Sequence, residues 1–271
     1  MSDASDRKPV GRTGETVSAI GLGTWAIRSG EAMVEALLYA FSNGIDNVDT
    51  AEMYGSGEAE RIVGEALRRF GRSGVFVTTK LYPHRFRSRE AAVKAARASL
   101  ERLGLGSVDL ILIHWPDDHT PVEVQVRNLE ALAMEGLARY VGVSNFDRSL
   151  LERAVTATRK HEIVVDQVHY SVYHRREVED QLLPYTVEAG VTIQAYTPLE
   201  RGRVARDPLL AKIGERYGKT PVQVALNYLI SHPRVVAIPK TERVERVREL
   251  LGAMGWRLSP EDLALIRESI G

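Results

Sequence analysis

Eight short apolar segments punctuate this chain. From the second onward each runs into a polar residue, in turn Asp49, Lys80, His114, Asn145, Gln167, Tyr196 and Lys240. Stretches with apolar residues at helical spacing lie between them. Residues 108–114 are almost wholly apolar, as a strand covered on both faces must be. Parallel strands need long crossovers, and helices supply them. Eight such units with right-handed crossovers close into a barrel whose strand C-termini share one rim. The predicted fold is an α/β, (β/α)8 TIM barrel with an N-terminal β-hairpin and extra helices near the C-terminus, a single domain over residues 1–271.

Local signals give the element order. Residues 1–8 are expected to fray and residues 10–20 to form the hairpin. Residues 20–25 read as the first strand, where Gly21 and Gly23 allow close backbone approach, for packing or for a ligand. Ser29 caps a helix with Met33, Leu37, Leu38 and Phe41 on one face, ended by Gly44. The remaining strands are predicted at 45–49, 75–80, 108–114, 140–143, 164–168, 191–196 and 235–238. Helices follow at 57–70, from Ser88 to Gly104, at 122–135, after Asp147, and at 177–189, 208–217, 221–231, 243–251 and 260–270. A doubly wound sheet is the alternative. It is weakened because the first βα turn lacks G-x-G-x-x-G, Ala26 standing at the third glycine position.

Composition narrows the function classes. Lys plus Arg and Asp plus Glu both total 36, so no charge excess points to nucleic acid or a membrane surface. Attraction for an anion must be local. The chain has no cysteine, which excludes disulfides and thiolate metal sites, and His114 and His169 have no clustered partners at ligand spacing. No apolar run approaches the roughly 20 residues that span a bilayer. The polar N-terminus has no apolar signal core. A cytoplasmic protein is the expectation.

In a barrel, Asp49, Lys80 and His114 end adjacent strands, and Tyr54 lies just past Asp49. Singly, Asp49 reads equally as a helix cap, Lys80 as a solvated charge and His114 as a core histidine. Together they set a carboxylate, an ammonium, a phenol and an imidazole around one pocket. An ammonium favours phenolate and lowers the phenol pKa from about 10. The carboxylate keeps the lysine charged, and the imidazole can orient a carbonyl oxygen. Such a set can polarise a carbonyl and protonate the alkoxide as hydride arrives. No side chain is a hydride source, so a nicotinamide is required.

Four motifs carry a family resemblance. Asn47-Val48-Asp49-Thr50-Ala51-Glu52-Met53-Tyr54-Gly55, Thr79-Lys80, Leu112-Ile113-His114-Trp115-Pro116 and Val141-Gly142-Val143-Ser144-Asn145-Phe146 resemble the signatures of the aldo-keto reductases, NAD(P)H-dependent carbonyl reductases. The resemblance implies that Tyr54 is the general acid, tuned by Asp49 and Lys80, and that His114 orients the carbonyl. Ser144, Asn145 and Gln167 match the nicotinamide carboxamide contacts, and Tyr196 matches the ring that stacks on it. Thr24 and Trp25 match the first βα turn beside the cofactor. Leu199 and Arg201 follow in the loop after the seventh strand, where Arg201 and Arg203 are placed to meet the pyrophosphate. Lys240, Thr241 and Arg246 match the adenosine 2′-phosphate positions, and Glu249 an adenine contact. Leu250 replaces the asparagine that commonly follows. The resemblance thus implies NADPH/NADP+, with NADH weaker, and a monomer. The competing reading makes Arg243, Arg246 and Arg248 an exposed charge run paired with Glu242, Glu245 and Glu249. After Gln167, the Val168-His169-Tyr170-Ser171 stretch departs from the common Val-Glu-Tyr-His and suggests a microbial-type subgroup with a non-catalytic His169.

Trp25, Tyr54, Tyr82, His114 and Trp115 are the substrate candidates, with His84 and Tyr173 nearby. They predict an aromatic mouth for small carbonyl compounds, and the short stretch after Arg267 an open pocket. Asp117 and Asp118 either bind a polyol or end a loop. Two other functions are weighed: a Schiff-base lyase or aldolase on Lys80, and a cofactor-binding redox sensor with little turnover.

Overall fold

A computed structural model describes residues 6–270. Its centre is a parallel sheet of eight strands in chain order: β3 (Leu22–Gly23), β4 (Asn47–Asp49), β5 (Phe76–Leu81), β6 (Val108–Ile113), β7 (Ala138–Ser144), β8 (Ile163–His169), β9 (Thr192–Tyr196) and β10 (Val235–Ala237). The last strand returns to the first. Gly21 N donates to Ala237 O at 2.8 Å, Ala237 N to Ala19 O at 2.9 Å and Gly23 N to Pro239 O at 3.0 Å. The (β/α)8 barrel is therefore closed, which leaves no bare edge. Gly21 and Gly23 allow close approach here: a Cβ at Gly21 would lie 1.8 Å from Asn47 Oδ1 on β4 and 3.1 Å from Ile238 Cγ2 across the seam, and one at Gly23 would lie 3.0 Å from Ile238 O. Their close approach is packing.

The helices are α1 (Gly30–Ser42), α2 (Glu58–Phe70), α3 (Arg89–Leu103), α4 (Val122–Met134), α5 (Arg148–Ala157), α6 (Leu183–Ala189), α7 (Pro208–Tyr217), α8 (Pro221–Ile230), α9 (Val244–Leu251) and α10 (Pro260–Ser269). Ser29, Ser88 and Asp147 cap α1, α3 and α5 by accepting from Ala32, Ala91 and Leu150 N. α6 is preceded by a π-turn, Val178–Leu182, where a continuous α-helix was expected. None of the described helices is long and apolar enough to cross a membrane.

The expected fraying and hairpin bounds need correction. Residues 1–5 lie outside the described residues, but Arg7 and Lys8 are not frayed: β1 (Arg7–Pro9) pairs antiparallel with β2 (Thr16–Ser18). Lys8 is fully buried, and its ammonium donates to Ile230 O at 2.7 Å. That carbonyl ends α8, far along the chain, and no local signal announces it. Val10 and Val17 then join Phe76, Leu110, Leu112, Val165, Val236 and Ile238 in a cluster of their own. Side chains alternate across a strand. The position two residues beyond Leu112 is His114, and two beyond Val165 is Gln167. The barrel interior is thus apolar at the hairpin end and polar at the other.

Candidate active site

Asp49 and Lys80 meet at the polar end. Lys80 is fully buried, and Nζ lies 2.7 Å from both Asp49 carboxylate oxygens, 2.9 Å from Thr50 O and 3.1 Å from Tyr54 OH. The chain past β4 stays tied to β5, with Thr50 N on Thr78 O and Glu52 N on Lys80 O. A tight 3₁₀ turn, Tyr54–Gly57, then sets the phenol over the ammonium; Gly55, Ser56 and Gly57 are all left-handed there. Asp49 Oδ1 also accepts from Gln167 Nε2 at 2.8 Å, and Gln167 in turn reaches Gln194 Oε1 at 3.0 Å. Asp49 is therefore no helix cap and Lys80 no solvated charge.

Protonation follows from these contacts. Burial disfavours the Lys80 ammonium, but the Asp49 carboxylate and Tyr54 more than offset it, and its pKa is raised. Lys80 is charged at neutral pH and its ammonium has no lone pair for attack on a carbonyl, which removes the Schiff-base reading. An ammonium only donates, so Tyr54 OH accepts from Lys80 and keeps its own hydrogen free. Lys80 lowers the phenol pKa as expected, but burial raises it by more, so the net shift is upward and Tyr54 stays protonated. Burial and the Lys80 charge together pull His114 down to about 2. Its imidazole is neutral, and Nδ1 is buried without a partner. An orphan N–H costs more than an orphan lone pair. The proton therefore sits on Nε2, as a donor.

The His114 and Tyr54 rings meet edge to face, centroids 5.7 Å apart, and Trp115 lies flat on His114 at 3.9 Å. Trp25 is half exposed at the mouth, under the Arg201 guanidinium at 5.4 Å. Tyr82 stacks on His84 at 5.5 Å. Tyr173 is tied elsewhere, its hydroxyl on Asp207 and Arg203 across its ring. Asp117 is taken up by Arg87, Thr120 and the Gln125 carboxamide, so it organises its own loop.

The next rim segment is a run of amides. Ser144 Oγ donates to Gln167 O at 2.7 Å, and Asn145 Nδ2 reaches His114 O and Ser144 Oγ. Ser144 does not cap α5; Asp147 does. Asn145 has φ 62°, a left-handed conformation asparagine tolerates. Its Oδ1 accepts from Tyr196 OH at 2.8 Å. Both Gln167 amide hydrogens are engaged, which leaves the Gln167 and Asn145 oxygens with lone pairs for an incoming NH₂. These acceptors fit the NH₂ of a nicotinamide carboxamide beside the Tyr196 ring. His169 backs that ring at 5.5 Å and pairs with Glu200 at 2.7 Å. Leu199 is partly buried against the core. The Thr24 hydroxyl is spent inside the protein, on Asp49 O at 2.9 Å.

Past β10, Lys240, Thr241 and Arg246 stand at the head of α9, but the two cations are engaged. Lys240 pairs with Glu242, Arg246 with Glu249 at 2.7 Å and Arg243 with Glu245 at 3.4 Å. Glu249, expected to meet adenine, accepts from Arg246 and from Thr220 OH. The charge-run reading holds for Arg243 and Arg246 only: Arg248 donates to Tyr39 OH at 3.0 Å, and Glu242 pairs with Lys240. Sequence reasoning missed Glu52, Thr50 and Gln194. Glu52 receives Tyr82 N at 2.7 Å and holds the loop after β5. Gln194 was legible as the inward neighbour of Tyr196 on one strand face, whereas Thr50 contributes a backbone carbonyl that no side-chain pattern marks.

A family profile described as "Aldo/keto reductase family" matches residues 19–270. The methylglyoxal reductase YeaE of Escherichia coli is 32% identical over 260 residues, covering 93% of this chain and 90% of its own. The glyoxal reductase of Bacillus subtilis is 32% identical over 245 residues, covering 90% and 85%. Among solved structures, a thermostable aldo-keto reductase in complex with epalrestat superposes with TM-score 0.92 at 40% identity, covering 98% of this chain and 99% of that one. An aldo/keto reductase of Klebsiella pneumoniae in complex with NADP and acetate gives 0.90 at 33%, covering 98% and 95%.

Proposed function

The chain belongs to the aldo/keto reductase family, and from that premise we propose that it reduces small aldehydes and ketones to alcohols with NADPH, with Tyr54 as the proton donor. The observation that carries this reading is the buried Lys80 ammonium shared between the Asp49 carboxylate and the Tyr54 oxygen. Lys80 takes a lone pair of Tyr54 and leaves its hydrogen for the substrate oxygen. The neutral His114 offers Nε2–H to the same oxygen and fixes its direction. A bound nicotinamide supplies the hydride; Asn145 and Gln167 would hold its carboxamide, and Tyr196 would face its ring. As negative charge grows on the carbonyl oxygen, the adjacent ammonium favours proton release from the phenol, and Asp49 keeps that ammonium charged. Trp25, Tyr82 and Trp115 frame an aromatic mouth. The reductases named for methylglyoxal and glyoxal make 2-oxoaldehydes the substrates to try first. The complete set of four reacting groups speaks against a sensor without turnover.

Tyr54→Phe removes the proton and keeps the ring. Reduction of methylglyoxal, followed by NADPH absorbance, should fall by about 10²-fold or more, while NADPH affinity from tryptophan quenching stays within about twofold. Retained turnover would remove Tyr54 as the acid.

A further inference from the structure

The loop between β10 and α9 holds a carboxylate in an unexpected place. Glu242 lies two residues past Lys240, and its side chain is only 12% exposed. One of its oxygens accepts from Arg28 N at 3.0 Å and the other from Ser29 N at 2.9 Å. Those amides precede α1, where the helix dipole also favours an anion. Lys240 closes the triangle, donating to Glu242 and to Ala26 O. Glu242 cannot turn away from Lys240 without losing two backbone hydrogen bonds. Burial raises its pKa, but Lys240 and the two amides lower it further, so it is ionised. The Arg243–Glu245 pair nearby is solvated on both sides, 57% and 66% exposed, and carries little energy.

We propose that Glu242 sets the ratio of NADPH to NADH affinity: it holds Lys240 in an ion pair that a 2′-phosphate must share, and so lowers discrimination in favour of the phosphorylated cofactor. The inference rests on the assignment of the adenosine 2′-phosphate to Lys240, Thr241 and Arg246. A phosphate brought to Lys240 meets a fixed like charge within a few ångströms, in a partly sheltered site where screening is incomplete. A ribose 2′-hydroxyl meets a hydrogen-bond acceptor instead. The same carboxylate therefore penalises one cofactor and not the other.

Two probes that differ only in this phosphate, 2′,5′-ADP and 5′-AMP, test the point by titration calorimetry on the full chain. Glu242→Gln should tighten 2′,5′-ADP by about 10-fold, the effect of removing one nearby like charge, and change 5′-AMP by less than about twofold. An unchanged ratio, or equal weakening of both probes, would overturn the proposal and leave Glu242 as a cap of α1. Arg246→Ala separates this failure from failure of the site itself. Selective loss of 2′,5′-ADP supports the phosphate assignment, whereas an effect on neither probe overturns that assignment and the proposal with it. Should Glu242→Gln not fold, Glu242→Asp draws the charge back by one methylene and should raise the ratio by a smaller factor; an unchanged ratio there counts against the proposal.

Discussion

The histidine at the end of β6 illustrates how one buried residue links chemistry to stability. His114 stays neutral because burial and the Lys80 charge oppose a second cation, with its pKa pulled down to about 2. In the unfolded chain it titrates near 6.5. Between those values the unfolded state binds the extra proton, so the contribution of His114 to stability is full above pH 6.5 and is lost as pH falls toward 2. Each unit below 6.5 costs about 1.4 kcal/mol. His114→Gln removes this term. The stability gap between wild type and variant, from urea unfolding, should narrow by about 2 kcal/mol from pH 7 to pH 5. A gap that stays constant would mean that His114 takes up a proton in the folded protein. The residues that made this site legible were those at strand ends, because a polar side chain after an apolar run has few other reasons to be there. The Lys80 direction was legible from its carboxylate partner, but that of Tyr54 was not. The sequence shows Lys80 beside Tyr54 but not the depth of burial, and burial decides the direction for the phenol.

Elements were predictable where a cap and a period agreed, as in α3 between Ser88 and Gly104. They were misjudged where contacts from afar decide: Lys8 is placed by carbonyls beyond residue 229. Tyr54–Gly57 and Glu200–Arg206 are short 3₁₀ turns, which carry no periodicity to read. Gly64 shows the same competition inside a helix. Alanine is better than glycine in a helix interior by about 1 kcal/mol, and on propensity alone Gly64→Ala in α2 should stabilise. A Cβ there, however, would lie 2.5 Å from Leu103 O, a backbone atom at the end of α3 that cannot swing aside. Overpacking of this kind costs about 1–3 kcal/mol. Gly64→Ala should therefore lower the thermal midpoint, while Gly106→Ala, with nothing within 4 Å of its Cβ, should not. A higher midpoint for Gly64→Ala would mean that α2 and α3 pack less closely than this.

At the scale of the whole molecule, the barrel should unfold as one cooperative object, because its seam joins the two ends of the sheet. Residues 19–23 bond to residues 237–239, and Lys240 reaches across the same seam to Ala26 O. The seam carries the adenosine end of the proposed cofactor site, while the Asp49 and Lys80 pair stands just inside it. Opening the seam would wet the interior of both halves of the sheet, so the ends and the middle should melt together. The three tryptophans report on separate places: Trp25 beside the seam, Trp115 on the far side of the same rim, flat on His114, and Trp256 against Tyr217. Urea unfolding followed by their fluorescence and by far-ultraviolet circular dichroism should give coincident transitions. Gly21→Val places bulk where even a Cβ would lie 1.8 Å from Asn47 Oδ1, and Asn47 is itself fixed by bonds to Ser18. It should destabilise by about 3 kcal/mol, the upper end of the usual cost of overpacking, and move both transitions together. If fluorescence moved while dichroism stayed, the seam would be a local closure, and the first and last strands could separate without unfolding the barrel between them.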